Sequence, residues 1–336
     1  MKKDSIIASP MCWGNGAYVI HKELEKGIPG YRVLPYHPYW TLFPVYLPLA
    51  VRINRPGLVH TTPDYAAFFK RKNIPLVVTF HNFVLDSFMN QYSSWVQRIH
   101  YAVFLRGHTK IAVRHARAVT SVSRFTADMV RCELGYKGPL HVIYDGVDTT
   151  RFHPSNHSNR PNDIRVLFSG NLTLRKGAQW LAPIARRLKP GIRIFYTAGL
   201  RTKKRLPPAS NLVPIGRVEQ SEMPTRYQQM DILLMPTVRE GFGMAVLEAM
   251  ACGLPVVASN CSSIPELIDD TKGGFLCPVG DTVAFADRIN MLAQSELLRH
   301  AMGAYNRAKA EEKFGLDRML FQYRSLFDQM QNRDLN

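Results

Sequence analysis

Short β-branched runs alternate along the chain with longer amphipathic stretches. In the first half, Leu58-Val59-His60, Leu76 to Phe80, Ala118 to Val122 and His141-Val142-Ile143 read as buried strands. The second half repeats the rhythm with Arg165 to Ser169, Arg193 to Thr197, Ile232 to Met235 and Pro255 to Ala258. Between the strands, Trp95 to His115 and Arg124 to Leu134 carry apolar residues at helical spacing, and Leu316 to Met330 reads as one more helix. Such alternation predicts an α/β fold of parallel sheets covered by helices on both faces. Phe152 to Asp163 is polar, contains proline and lacks periodicity, as a linker does. The expected organisation is therefore a first domain over 1–158 and a second over 159–315. The C-terminal segment 316–336 would be a helix packing back toward the first domain.

Length agrees, since 336 residues suit about two domains. No apolar run approaches the ~20 residues of a membrane-spanning helix, and Trp40 to Val51 is broken by Pro44 and Pro48. Lys2 and Lys3 are followed at once by Asp4, Ser9 and Pro10, a poor secretory leader, so the expected compartment is the cytoplasm. Five scattered cysteines without a C-x-x-C pair argue against a disulfide framework or a zinc site. The formal charge of +17 is uneven, with 20 Lys/Arg against 9 Asp/Glu in residues 1–160 and 23 against 17 beyond. A basic balance suits nucleic acid, an anionic membrane or a phosphorylated substrate, and charge does not choose among them.

The chemistry concentrates just after strands, where open α/β sheets bind ligands. Glu240-Gly-Phe-Gly-Met-Ala-Val-Leu-Glu248, continued by Ala-Met-Ala-Cys-Gly-Leu-Pro-Val-Val-Ala, reads as glycine loop, helix, glycine stop and strand. Gly241 and Gly243 permit a tight turn and close approach to a ligand. A helix from about Met244 to Cys252 would end at Gly253, and its N-terminus suits phosphate. Glu240 and Glu248 can each accept two hydroxyl hydrogen bonds, as a sugar diol offers. Taken singly, either glutamate also reads as a helix-dipole or surface carboxylate.

This block resembles the signature of the family 4 glycosyltransferases, two glutamates separated by seven residues. Other segments agree in order: Val142 to Pro154, with Asp145 where the family usually has asparagine; Gly216-Arg217-Val218; Ser263 to Ile268; and Gly274-Phe275-Leu276. The resemblance implies a GT-B fold, two facing Rossmann-like domains with the donor cleft between them. It implies a retaining, metal-independent transfer of a sugar, from a UDP-sugar by preference, with no cofactor. In the family's pattern Glu240, His81 and Lys176 are catalytic. Gly16, Asn171, Arg175, Lys176, Arg217, Gly241, Phe242, Gly243, Met244, Ala245 and Glu248 would bind the donor.

Residues add to this independently. Arg175-Lys176 precedes a helix after the strand ending at Gly170, where cations can neutralise a diphosphate leaving group. Asn171 stands where the family has arginine, and Arg175 is the residue able to compensate. Gly14-Asn15-Gly16 follows a first strand expected at Ser5 to Ala8. His81 ends a strand, where the resemblance implies a sugar-orienting role, while His60 reads as structural. No D-x-D motif is present, and Asp269-Asp270 reads as a surface loop.

The first domain would take the acceptor: a cell-surface glycan, including lipopolysaccharide, or a lipid-linked or phosphorylated compound. Trp95, Arg98, Tyr101, Phe104, Leu105, Arg106, Lys110, Arg114 and Arg117, with a loop carrying Tyr36, Tyr39, Trp40, Phe43 and Tyr46, suit peripheral attachment to an anionic membrane. They equally suit a helix packed into the core with a solvated basic face. A nucleic-acid-binding protein, and a GT-B epimerase or phosphorylase, are the alternatives; no recognised nucleic-acid motif supports the first.

Overall fold

A computed structural model describes residues 6–92, 95, 104–155, 163–199 and 206–332. The chain divides into two compact units. One is formed by residues up to Asp145 together with those from Asp317 onward, the other by Gly146–Leu316. The first crossing lies just upstream of the polar stretch at Phe152 to Asp163.

The first unit holds β1 (Ile7–Cys12), β2 (Tyr31–Tyr36), β3 (Leu58–Thr61), β4 (Leu76–Phe80), β5 (Ala118–Ser121) and β6 (Leu140–Val142). They form one parallel sheet in the order β2-β1-β3-β4-β5-β6. The second unit holds β7 (Ile164–Phe168), β8 (Ile192–Thr197), β9 (Leu212–Gly216), β10 (Ile232–Met235), β11 (Val256–Ser259) and β12 (Gly274–Cys277). Their parallel order is β12-β11-β10-β7-β8-β9. In each sheet the winding reverses once, between β1 and β3 in the first and between β7 and β10 in the second. Such a reversal opens a crevice at the carboxyl ends of its two strands.

Helices α1 (Gly16–Gly27), α2 (Arg106–His115) and α3 (Arg124–Leu134) belong to the first unit. The second contains α4 (Ala178–Ala185), α5 (Met223–Gln228), α6 (Met244–Ala251), α7 (Thr282–Gln294) and α8 (Glu296–Phe314). Local chemistry sets their ends. Asn15 Oδ1 accepts from Tyr18 N at 2.8 Å and Ser123 Oγ from Thr126 N at 3.0 Å, each satisfying an orphan amide of a first turn. After α6, Gly253 sits at φ +72°, with Gly253 N bonded to Met250 O and Leu254 N to Ala249 O. This paired closure ends the helix in a left-handed residue.

Central strands are buried on both faces: every residue of β4 and of β10 is buried. In the second unit Val166, Phe168, Ile194 and Leu234 pack against Leu181 and Ile184 of α4 and Phe285 and Ile289 of α7. Each such side chain contributes roughly 1.5–3 kcal/mol on leaving water. In the first, Val78, Phe80 and Val119 pack against Ala112 and Val113 of α2 and Val130 of α3.

Helix α9 (Leu316–Asn332) buries Met319, Tyr323, Leu326, Phe327 and Met330. Phe327 lies 5.9 Å from the Tyr31 ring and 5.1 Å from the His60 ring, and Arg324 donates to the Gly27 carbonyl at 3.2 Å. The last helix is thus part of the first unit's core.

Two expectations need correction. The first strand runs to Cys12 rather than stopping at Ala8, so the Gly14 turn follows it directly. Tyr36 is buried at the end of β2, its ring 6.1 Å from Phe69, and does not belong to an exposed aromatic loop. Of the described residues of Trp95 to Arg117, Trp95, Phe104, Leu105 and Arg106–His115 are helical; Arg98 and Tyr101 lie outside the described residues. Helix α2 turns Thr109, Ala112 and Val113 inward, and Arg106 donates to the Glu133 carbonyl at 2.5 Å.

Candidate active site

The crevice between β7 and β10 brings together the basic pair and the first glutamate. β7 ends at Phe168 and leads through Gly170 into a loop that closes as a 3-10 turn over Leu174–Lys176. Gly177 follows at φ +78°, and a Cβ there would lie 1.8 Å from the Pro236 carbonyl oxygen. Only glycine lets the β7 loop approach the β10 loop so closely. The loops are stitched by Val238 N to Arg175 O at 2.8 Å and Arg175 Nη1 to Arg239 O at 2.8 Å.

Within this junction, Lys176 Nζ lies 2.7 Å from Glu240 Oε1, and Arg175 Nη1 lies 3.6 Å from Glu240 Oε2. Thr237 Oγ1 donates to Glu240 Oε1 at 2.8 Å. Burial pushes the Glu240 carboxyl up, but the Lys176 and Arg175 charges and the bonds from Lys176 and Thr237 outweigh it, so its pKa falls below the usual value. Burial also draws Lys176 below the ordinary lysine value, against the pull of Glu240, while Arg175 adds to the lowering. Two cations face one carboxylate, so a positive charge remains for an anionic ligand.

Serines after β11 hold the glycine loop; the sequence marked Ser263 only as the start of a family-like segment and gave no sign of Ser262. Glu240 N donates to Ser262 Oγ at 2.9 Å, and Ser263 Oγ donates to Phe242 O at 2.8 Å. Ser262 has φ +51°, a left-handed conformation uncommon for a residue with a side chain. Gly243 takes φ +112° just before α6, where a Cβ would press on Ile264 and Leu267 at 3.1 and 3.2 Å. Gly241 and Phe242 are buried, the latter with its ring 5.8 Å from Phe314. Met244 and Ala245 are half-buried in the first turn of α6, where amides have no intrahelical carbonyl to bond.

Glu248 is buried one turn further along. Tyr227 OH donates to its Oε2 at 2.9 Å and Gln220 Nε2 to its Oε1 at 3.2 Å. Burial pushes its carboxyl up, only partly countered by those bonds and by Arg151 and Lys176. Neither Tyr227 nor Gln220 carries a local signal, because their partner lies more than twenty positions away. Asn171 lies over the backbone of Gly199, whose Cβ would meet Asn171 Oδ1 at 1.8 Å. Arg217 is exposed at the end of β9 and pairs with Glu219 at 3.3 Å.

The remaining candidates lie in the first unit. Gly16 opens α1, and a Cβ on it would meet nothing within 4 Å. His81 follows β4 and joins a buried polar network. Its Nε2 lies 3.1 Å from His21 Nε2, and its Nδ1 3.7 Å from Asp145 Oδ1. His21 Nδ1 meets Ser9 Oγ at 2.7 Å and Tyr31 OH at 2.8 Å. Tyr31 OH reaches His60 Nδ1 at 2.7 Å, and His60 Nε2 reaches Thr79 Oγ1 at 2.7 Å. Burial lowers all three imidazoles, His81 to about 3 and the other two well below their ordinary value. Burial raises Asp145 to about 8. Among the described residues no group of three or more His, Cys, Asp or Glu could hold a metal ion.

Two family profiles cover most of the chain: "Glycosyl transferases group 1" matches residues 163–295 and "Glycosyltransferase Family 4" residues 14–151. The chain belongs to the family 4 glycosyltransferases and has their GT-B fold. It is 25% identical to the sulfoquinovosyl transferase of Arabidopsis thaliana over 88% of this chain and 64% of that one. Sucrose-phosphate synthase from Thermosynechococcus elongatus has the same fold, with a TM-score of 0.84 at 18% identity over 97% of this chain and 99% of the other. Anabaena HepE in complex with UDP and glucose aligns with a TM-score of 0.77 at 18% identity, over 96% and 99% of the two chains. The chain spans less than two thirds of the length of curated relatives it matches, 28%, 64% and 63% for three of them.

Proposed function

We propose that the protein is a hexosyltransferase that moves a sugar from a nucleotide diphosphate donor, a UDP-sugar by preference, with retention of configuration. One observation carries this reading: Lys176 and Arg175 converge on Glu240 at the β7/β10 reversal, beside the start of α6. Positive charge at that position suits a departing diphosphate, and Glu240 can accept from sugar hydroxyls. Transfer without a metal ion follows from giving the cation's task to Lys176, Arg175 and the helix terminus. Glu248, with two oxygens held by Tyr227 and Gln220, would receive the ribose hydroxyls. The acceptor would be a lipid-linked or phosphorylated glycan of the cell surface, lipopolysaccharide included, met in the cytoplasm. HepE, solved with UDP and with UDP-glucose, supports the choice of donor.

Thermal unfolding against a panel of UDP-, GDP-, ADP- and TDP-sugars tests the reading. At a hundredfold excess over Kd, the true donor stabilises by ~2.7 kcal/mol. The shift is expected to vanish in Glu248→Ala. Silence across the panel would remove the donor assignment.

A specific surface also favours peripheral attachment to an anionic membrane. Pro38–Ala50 folds as two 3-10 turns and a short helix anchored by buried Leu47, leaving Tyr39, Trp40, Leu42, Phe43, Val45, Tyr46 and Leu49 exposed. No acidic residue lies between Glu25 and Asp64, whereas Lys26, Arg32, Arg52 and Arg55 do. Lys26 is paired with Glu23 at 2.8 Å, and exposed apolar side chains in a stretch whose other charges, Arg32, Arg52 and Arg55, are all basic suit an anionic lipid surface. The full chain is expected to cosediment with vesicles of anionic lipid at low salt. Leu42→Ser/Phe43→Ser/Leu49→Ser is expected to stay in solution; equal sedimentation of the two would exclude this surface. Among the described residues no helix is long and apolar enough to cross a membrane.

A further inference from the structure

Two polar atoms in the first unit's core face each other without any other hydrogen-bond partner. They are Asp145 Oδ1 and His81 Nδ1, both buried, 3.7 Å apart. Buried polar atoms are seldom left unpaired, and closing this gap by less than 1 Å would satisfy both. One of the two must then carry the hydrogen.

The state of the Asp145 carboxyl points to which, and the network accommodates it. A neutral imidazole has one N–H and one lone pair. If His81 carried its hydrogen on Nδ1, Asp145 Oδ1 would have to accept it, either as an ionised carboxylate or with the acid's own hydrogen turned to the other oxygen. Burial holds the Asp145 carboxyl up at about 8, so at neutral pH the acid keeps its proton and can donate it. His81 Nδ1 then accepts, and its Nε2–H donates to His21 Nε2 at 3.1 Å. His21 Nδ1–H donates to Tyr31 OH at 2.8 Å, and Tyr31 O–H donates to His60 Nδ1 at 2.7 Å. His60 Nε2–H donates to Thr79 Oγ1 at 2.7 Å, and Thr79 donates to Thr120 Oγ1 at 2.5 Å. Every link has one donor and one acceptor. Reversing the first link reverses the next, His81 to His21; beyond it Ser9 Oγ, 2.7 Å from His21 Nδ1, can give or take a hydrogen, so the remaining links are not bound to follow.

We propose that Asp145 is a positioning residue: as a neutral carboxylic acid it donates its proton to His81 Nδ1 and so fixes His81 as the Nε2–H tautomer. The other titratable groups around the pair are His21, His60, Tyr31 and Tyr323, and burial keeps all four uncharged at neutral pH. Ionisation of Asp145 is therefore the event that turns the Asp145–His81 and His81–His21 links around. Its effect on catalysis rests on the reading of His81 as the sugar-orienting group; the tautomer itself does not.

The test is long-range ¹H–¹⁵N NMR of the full chain labelled at histidine, from pH 6 to pH 9. His81 is expected as Nε2–H at pH 6–7, changing to Nδ1–H as the pH rises through about 8. In Asp145→Asn an amide N–H replaces the acid's O–H and cannot ionise, so His81 should stay Nε2–H throughout. A wild-type His81 found as Nδ1–H at pH 6–7 overturns the proposal, and this titration needs no variant. So does an Asn variant whose tautomer changes over the same range. Stability gives a second readout. The folded acid is raised above its unfolded value of 3.8, so its contribution is lost as pH rises toward about 8. Asp145→Asn should therefore gain in Tm on wild type from pH 4 to pH 8, and a constant difference would count against the assignment. If the sugar-orienting reading also holds, kcat falls about tenfold per pH unit above 8 in wild type and stays level in the variant. A tautomer change with no change in kcat would uphold Asp145 as the donor and remove His81 from the reaction.

Discussion

Lys176→Ala is expected to lower kcat by about 10²–10³-fold, the usual loss when one donor to a developing anion is removed. Two consequences combine. The leaving diphosphate loses its nearest cation, and Glu240 keeps only Arg175, at 3.6 Å, and the Thr237 hydroxyl. A buried carboxylate stripped of its main partner rises in pKa and destabilises the fold, by about 3 kcal/mol in well-buried pairs. Stability and catalysis are separable here. Lys176→Ala/Glu240→Gln removes both charges, so its Tm should recover toward wild type while kcat stays low. Steady-state kinetics and thermal unfolding of the two variants check this. Full activity in Lys176→Ala would take Lys176 out of the diphosphate role.

Mild acid is expected to loosen the first unit. His21, His60 and His81 are neutral in the folded core but charge near 6.5 when the chain unfolds. Their folded values lie below the unfolded ones, so the stability they carry is present above pH 6.5 and lost as pH falls. Each contributes a slope of up to ~1.4 kcal/mol per pH unit. Asp145 and Asp64, raised to about 8 and about 6, act in the opposite sense and gain as pH falls toward 3.8. Between pH 6 and 4.5 three losses meet two gains, leaving a net loss of ~1.4 kcal/mol per unit. Hydrogen exchange of β3 and β4 amides in the full chain reads this unit directly. Protection unchanged between pH 6 and 4.5, after correction for the intrinsic exchange rate, would mean the three imidazoles are not held neutral.

What the sequence made legible was local. The Glu240 block could be read as loop, helix and stop because each instruction lies within a turn of the residue it governs: Gly243 at the start of α6, Gly253 at its end. β4 and β10 were readable because strands buried on both faces become continuous apolar runs. β2 and β9 escaped because they are edge strands, only half-buried, with Pro35 in one and Pro214 in the other. The histidine network escaped for a different reason. Ser9, His21, Tyr31, His60, Thr79 and Tyr323 are scattered over more than three hundred positions, and only the parallel sheet with α1 and α9 gathers them. His60 was legible as structural, but the identity of its partners was not. Ser262 was silent, and Ser263 legible only as the start of a family-like segment, because a serine after a strand is common and only its reach to the glycine loop gives it a task.

The placement of α9 has a consequence for synthesis on the ribosome. Tyr323 and Phe327 cover His60 and Tyr31 in the first unit, yet they are translated after every residue of the second. The half of the chain that emerges first must therefore wait, with part of its core uncovered, until the other half has been made. Residues 146–316 can finish folding before residues 6–145 do, reversing the usual N-terminal-first order of nascent chains. During that interval the uncovered face over β1 and β3 is where a chaperone would be needed most.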